Sequence, residues 1–76
     1  MYTWTVVNES TGDILTSFKD YKTVEGAVQG VKSYILNKLN EGDIEESMTL
    51  SITVDTEEGK SVTQIKDMLA SEVREL

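Results

Sequence analysis

A long central stretch of this sequence repeats apolar residues at the spacing of an α-helix, and this stretch limits the possible folds more than any other feature. Thr23 is a suitable N-cap residue and Gly42 supplies a C-terminal stop, so we predict a helix that runs to about Glu41. Gly26 and Gly30 lie inside this helix and each costs up to about 1 kcal/mol relative to alanine, so we expect a neighbouring helix or sheet to approach closely there. The apolar stripe consists of Val24, Ala27, Val28, Val31, Ile35 and Leu39.

The segment before this helix alternates apolar and polar residues, which is the pattern of β-strands. Tyr2 to Asn8 and Asp13 to Lys19 are predicted to form a hairpin with Gly12 in its turn. A one-residue bulge at Gly12 would pair Trp4 with Phe18 and place the large apolar residues on one face. We predict this register for the hairpin.

The C-terminal segment has two interpretations. Ser61 and Gln64 have the spacing of a capping box, and apolar residues continue at helical spacing, which predicts a second helix to the C-terminus. A loose internal repeat, with copies that begin at Val6 and Thr53, instead predicts a fourth strand over residues 60–65. We prefer the helix, because a strand would place two apolar residues of this segment on opposite faces.

Together these elements predict one small α+β domain over residues 1–76. Met48 to Val54 is the third strand. We predict a two-layer sandwich in the order ββαβα, with ββαββα as the alternative, in which helices cover one face of a small, mostly antiparallel sheet with strand order 2-1-3. The predicted core face of the sheet consists of Trp4, Val6, Ile14, Phe18, Leu50, Ile52 and Val54.

The chain has neither histidine nor cysteine, which excludes disulfides, thiolate nucleophiles and cysteine-based metal sites and removes the commonest general base. Its Asp and Glu residues fall in loops, at helix ends or on polar helix faces. We therefore expect no catalytic residue, no cofactor-binding residue and no metal ligand, and hence a protein that is not an enzyme.

Targeting and membrane signals are missing from the sequence. The N-terminus lacks the basic and apolar regions of a signal peptide, and no apolar run approaches the roughly 20 residues of a membrane-spanning helix. We expect a cytoplasmic protein without a membrane partner.

The segment VDTEEGKS, Val54 to Ser61, ends in the Gly-Lys-Ser of a phosphate-binding P-loop. That motif needs a glycine at the position of Val54, and Asp55, Glu57 and Glu58 would repel the phosphates. We therefore predict an ordinary strand-to-helix turn and no nucleotide.

The acidic charge of the chain is confined to one window. The net charge is −7, and the 18 residues from Glu41 to Glu58 hold seven acids and no base. Nucleic-acid backbones should repel such a chain, so we expect no nucleic-acid partner, and we interpret nearby carboxylates as solvated loop charge rather than a cation site. The candidate protein-interaction residues are Glu41, Asp43, Glu45, Glu46, Asp55, Glu57 and Glu58.

The other predicted sheet face is rich in hydroxyl groups, and its predicted free edge at strand 3 has neither charge nor a bulge to prevent pairing. We therefore predict that the chain can form a homodimer through that edge or that face. The predicted members of the face are Thr3, Thr5, Ser17, Thr49, Ser51 and Thr53, with Val7, Leu15 and Lys19.

These observations favour a small, acidic, non-catalytic protein-interaction domain of bacterial or phage origin, whose partner is another protein. The alternative is an acidic inhibitor that imitates nucleic acid and occupies the basic groove of a host protein. Small phage inhibitors of host defence enzymes are similarly short, acidic and cysteine-poor. Steep loss of binding with added salt would favour the inhibitor.

Overall fold

The computed structural model of the chain describes residues 1–56 and 61–76. It confirms the α+β class, with a small antiparallel sheet of four strands in the order β2-β1-β3-β4 and one α-helix. The elements are β1 (Tyr2–Asn8), β2 (Asp13–Thr16), α1 (Val24–Glu41), β3 (Thr49–Thr56), β4 (Ser61–Leu69) and a 3₁₀ helix (Ala70–Glu75).

Both predicted ends of α1 are confirmed. The Thr23 hydroxyl accepts a hydrogen bond from the backbone N–H of Gly26 at 2.9 Å, which satisfies one of the free donors of the first turn. Gly42 follows the helix with a φ of 82°, in the left-handed region that a glycine adopts without steric cost. Its N–H donates to the carbonyl oxygen of Leu39 at 3.2 Å.

The group that approaches α1 at its glycines is the side chain of Tyr21, rather than a strand or a second helix. Tyr21 forms an isolated backbone bridge with Tyr2, and its hydroxyl accepts from the indole N–H of Trp4 at 3.5 Å. A Cβ atom on Gly30 would overlap this hydroxyl and lie 2.5 Å from Cζ of the same ring. Gly30 is therefore required by packing, which outweighs its low helix propensity.

The predicted register of the first hairpin is wrong by one residue. Val6 lies opposite Leu15, and the Ser17 N–H donates to the Trp4 carbonyl oxygen at 2.8 Å, in the position predicted for Phe18. A shift of one residue exchanges the two faces of a strand, so Ile14 is 69% exposed and Phe18 is 91% exposed instead of buried.

Asn8 explains why the hairpin takes this register. Its side chain is only 7% exposed, and its Oδ1 accepts hydrogen bonds from the N–H groups of Ser10 and Thr11 at 3.0 and 3.3 Å. The backbone N–H of Gly12 donates to the Asn8 carbonyl at 2.7 Å, and Asp13 then lies opposite Asn8. These contacts close the turn over residues 9–12 without a bulge in β2, and Gly12 has the predicted positive φ.

The preferred helix after residue 60 is also wrong, because residues 61–69 form β4, as the alternative order ββαββα predicted. Ser61 therefore caps no helix. The strand pairs with β3, and its register shifts between Leu50 and Ile52 and again between Val54 and Asp55. Each shift leaves an extra residue on β4, so the simple alternation on which the helix preference depended does not apply there.

The buried core lies between one face of the sheet, α1 and the 3₁₀ helix. Five of the seven predicted core-face residues of the sheet are in it, and Ile14 and Phe18 are not. The ring of Trp4 packs against that of Tyr34, with centroids 5.2 Å apart. Each fully buried aliphatic side chain contributes about 1.5–3 kcal/mol of transfer free energy. The core consists of Trp4, Val6, Ala27, Val31, Ile35, Leu50, Ile52, Val54, Ala70 and Val73.

Candidate functional site

The first group of predicted interaction residues lies at the C-terminal end of α1 and in the turn after it, where two basic side chains form ion pairs with it. Lys38 Nζ is 3.5 Å from the Glu41 carboxylate and 3.4 Å from that of Asp43. Hydrogen bonding to Asp43, together with the charge of Glu41, raises the pKa of Lys38. Arg74 lies 3.0 Å from Glu46. These ion pairs offset part of the negative charge, although all three carboxylate side chains remain 59–64% exposed.

The remaining predicted interaction residues do not form one site with this group. Glu45 is exposed within the same turn, whereas Asp55 lies half-buried near the far end of β3, opposite Thr3. Six residues of strand separate Thr49 from Asp55, which corresponds to about 20 Å. Glu57 and Glu58 lie outside the described residues. The described carboxylates therefore lie near opposite ends of β3.

The surroundings of the Gly-Lys-Ser sequence differ from those of a P-loop. Gly59 and Lys60 lie outside the described residues, but the residues from Ser61 onward form an antiparallel strand. A P-loop requires a helix N-terminus at this point, because the backbone N–H groups there bind the phosphates. The segment instead joins β3 to β4.

The predicted free edge at strand 3 does not exist, because β3 lies between β1 and β4. A homodimer through that edge is therefore excluded, and the end strands are β2 and β4. β4 pairs with β3 through two register shifts, and its sequence carries Lys66 and Asp67. Bulges and charges are the usual features by which an edge strand avoids pairing with another chain.

The hydroxyl-rich face is present, with two changes that follow from the hairpin register. Leu15 is half-buried against the core, and the Ser17 hydroxyl is used locally, accepting from the Trp4 N–H and donating to the Lys19 carbonyl. Ile14 and Thr16 take their places on this face, and the hydroxyl of Thr16 lies 3.4 Å from that of Thr5. The face thereby gains an exposed isoleucine beside its hydroxyl groups.

The structure reveals an exposed apolar feature that the sequence did not predict. We call it the β2 patch, and it consists of the outer edge of β2 with the side chains of Ile14 and Phe18. Phe18 follows β2 in the short segment between Ser17, which pairs with Trp4, and Tyr21, which pairs with Tyr2. This segment leaves β1 and carries Phe18 into solvent. Only the correct hairpin register could have identified these residues.

A cleft opens beside the β2 patch, between the hairpin and the C-terminal part of α1. Its volume is about 360 Å³, within the range of roughly 300–1,000 Å³ found for ligand pockets. Apolar side chains from three elements line it, and ionisable groups are interspersed among them. The lining residues are Val6, Asn8, Thr11, Asp13, Ile14, Leu15, Tyr34, Lys38, Asp43 and Ile44.

One further pair of carboxylates lies away from this cleft. Glu9 is exposed, but its partial desolvation raises the pKa of its carboxyl, and the nearby Asp67 carboxylate raises it further, by its charge and through a hydrogen bond. Among the described residues, no three acidic side chains converge as metal ligands. In that same part of the chain, no helix has the length and apolar character needed to cross a membrane.

Comparisons with known proteins give no relative from which a function could be transferred. No family model matches the chain, and neither a curated protein nor a solved structure matches it. The function must therefore be argued from the surface of the molecule itself.

Proposed function

We propose that this chain is a small, acidic, non-catalytic domain that binds another protein through the β2 patch. The observation that carries the proposal is the exposure of Phe18 (91%) and Ile14 (69%) beside an end strand of the sheet. Apolar aromatic side chains are enriched at protein interfaces, where their burial supplies much of the binding energy. A small domain with a limited core gains nothing in stability from leaving both residues in water.

The charge of the chain supports a basic partner surface. The whole chain carries −7, although Lys19 and Lys22 balance Asp13 and Asp20 in the segment that holds the patch. Negative charge around an apolar centre accelerates encounter with a positively charged partner and disfavours acidic ones. The attraction therefore comes from the chain as a whole, whereas the patch itself is apolar with balanced charges beside it.

The proposal is tested by affinity capture with tagged full-length chain from a lysate of the source organism or its host. We expect a captured protein that is lost with Phe18→Ser and retained with Leu69→Ser. Leu69 is the matched control because it is also an exposed large apolar residue, but it lies on the opposite end strand. Circular dichroism would verify that both variants fold. A partner that the folded Phe18→Ser variant still captures would contradict the proposal.

The alternative of a nucleic-acid mimic depends on the acidic window instead. Its support is the exposure of Glu41, Asp43 and Glu46, but Lys38 and Arg74 already balance part of this charge. The same capture experiment separates the two functions. A mimic loses its partner steeply as salt rises and after charge reversal of Glu57 and Glu58 to lysine, whereas binding through the β2 patch, which centres on apolar contacts, weakens only modestly with salt and survives the charge reversal.

A further inference from the structure

We propose that the free edge of β2 receives an extended peptide segment of the partner as an added strand, with one apolar side chain of that segment in the adjacent cleft. The expected segment carries this apolar residue next to lysine or arginine. The inference rests on the proposed function and specifies how the β2 patch recognises its partner. Strand addition of this kind uses backbone hydrogen bonds for affinity and pockets beside the edge for specificity.

The backbone of β2 has the groups that an added strand requires. The Ser17 N–H faces β1, where it donates to the Trp4 carbonyl. Backbone groups in an antiparallel strand alternate between its two sides, so those of Leu15 also face β1 and those of Ile14 and Thr16 face away from it. β2 is an end strand, and in the described part of the chain no backbone group bonds to the outward groups of these two residues.

The cleft lies where a side chain of the added strand would point. Leu15 faces the core side of the sheet, and neighbouring residues on paired strands place their side chains on the same face. A peptide residue opposite Leu15 would therefore project toward α1, where Leu15, Tyr34 and Ile44 line the cleft. The volume of about 360 Å³ is sufficient for a large apolar side chain.

The charges at the cleft select a basic segment. Asp13 and Asp43 both line it, whereas its one cation, Lys38, already pairs with Asp43 and Glu41. The net charge at the opening is therefore negative and complements lysine or arginine beside the apolar residue. The same argument disfavours a second copy of this chain as the occupant, because two chains of charge −7 repel each other.

The test is selection of a displayed library of random ten-residue peptides on three immobilised full-length proteins, namely the wild type, Thr16→Pro and Thr16→Val. Proline at position 16 removes a backbone N–H that faces solvent, a position that an edge strand tolerates, and valine keeps that N–H while removing the hydroxyl. We expect enriched peptides with an apolar residue next to lysine or arginine. They should bind the wild type and Thr16→Val alike and the folded Thr16→Pro variant at least tenfold more weakly.

A second measurement leaves the protein unchanged. N-methylation of the enriched peptide at alternate residues removes the donors on one of its edges, so one of the two methylation patterns should abolish binding and the other should retain it. Failure to enrich any peptide, or equal binding to Thr16→Pro, would overturn the inference. If strand addition is overturned in this way but the captured partner is still lost with Phe18→Ser, the proposed function stands without strand addition. A homodimer that Thr16→Pro dissociates in light scattering would also overturn it, in favour of self-pairing.

Discussion

At the scale of single residues, the structure assigns opposite roles to two glycines that look equivalent in the sequence. Both lie in α1, one turn apart, and helix propensity alone predicts that alanine would stabilise each by up to about 1 kcal/mol. At Gly30 the space of a Cβ atom is occupied by Tyr21. At Gly26 the nearest atom is the Thr23 hydroxyl at 3.2 Å, which is tight but short of overlap.

We therefore expect Gly30→Ala to destabilise the protein by about 1–2 kcal/mol, because overpacking at the Tyr21 ring exceeds the gain in helix propensity. Gly26→Ala is the matched control. It should lower the free energy of unfolding by less than about 0.5 kcal/mol, or increase it. Urea unfolding followed by circular dichroism measures both. Equal stabilisation by the two substitutions would show that Tyr21 does not pack against Gly30 as described.

The raised pKa of Glu9 gives a pH-dependent prediction at the same scale. Partial desolvation and Asp67 favour the protonated carboxyl in the folded state, so its contribution to stability is complete below the ordinary glutamate value of 4.5 and is lost as pH rises through the folded-state pKa. Glu9→Gln imitates the protonated form. We expect it to raise the melting temperature at pH 7, with the difference from wild type shrinking toward pH 4.

The control for this experiment is Glu45→Gln, which removes the same unit of charge from another exposed position, in the turn after α1. It corrects for the general benefit of lowering a net charge of −7. If both variants shift the melting temperature equally at pH 7, the environment of Glu9 has no special effect.

At the scale of elements, the parts predicted well are those that local chemistry determines. The caps of α1, the strand β1 and the positive φ of Gly12 follow from residue types within a few positions. The errors concern pairing between distant segments. The spacing from residue 61 onward fitted a helix, and only the irregular register with β3 makes it a strand. The exposure of Phe18 was missed for the same reason, since it depends on a one-residue choice in the hairpin.

The hairpin register yields a prediction about Asn8. Replacing it with alanine removes the acceptor for the N–H groups of Ser10 and Thr11 in a mostly buried position, so we expect a loss of about 1–2 kcal/mol. Thr3→Ala, on the same strand but facing away from the core, is the control and should cost less than about 0.5 kcal/mol. The measurement is again urea unfolding. An Asn8→Ala protein as stable as the control would mean that another interaction sets the register.

At the scale of the whole molecule, the two edge strands of the sheet differ in length, regularity and surroundings. One end is the short, regular strand β2, with exposed apolar side chains and a cleft beside it. The other is β4, which is long but irregular in its pairing. Together with the charge of −7, this difference supports the proposal that the protein associates through the β2 side of its sheet.

If a strand is added at β2 as proposed, this inequality would limit how far assembly can proceed. A sheet whose edge strands are both free to pair can add one copy after another and grow into a filament, because each added copy exposes a new edge strand. Here the second margin, β4, pairs irregularly and its sequence carries Lys66 and Asp67, so pairing at the β2 margin would not be repeated at the opposite margin of the same molecule. On the proposed mode of binding, each molecule would therefore hold one extended segment and would not lengthen into a filament by itself.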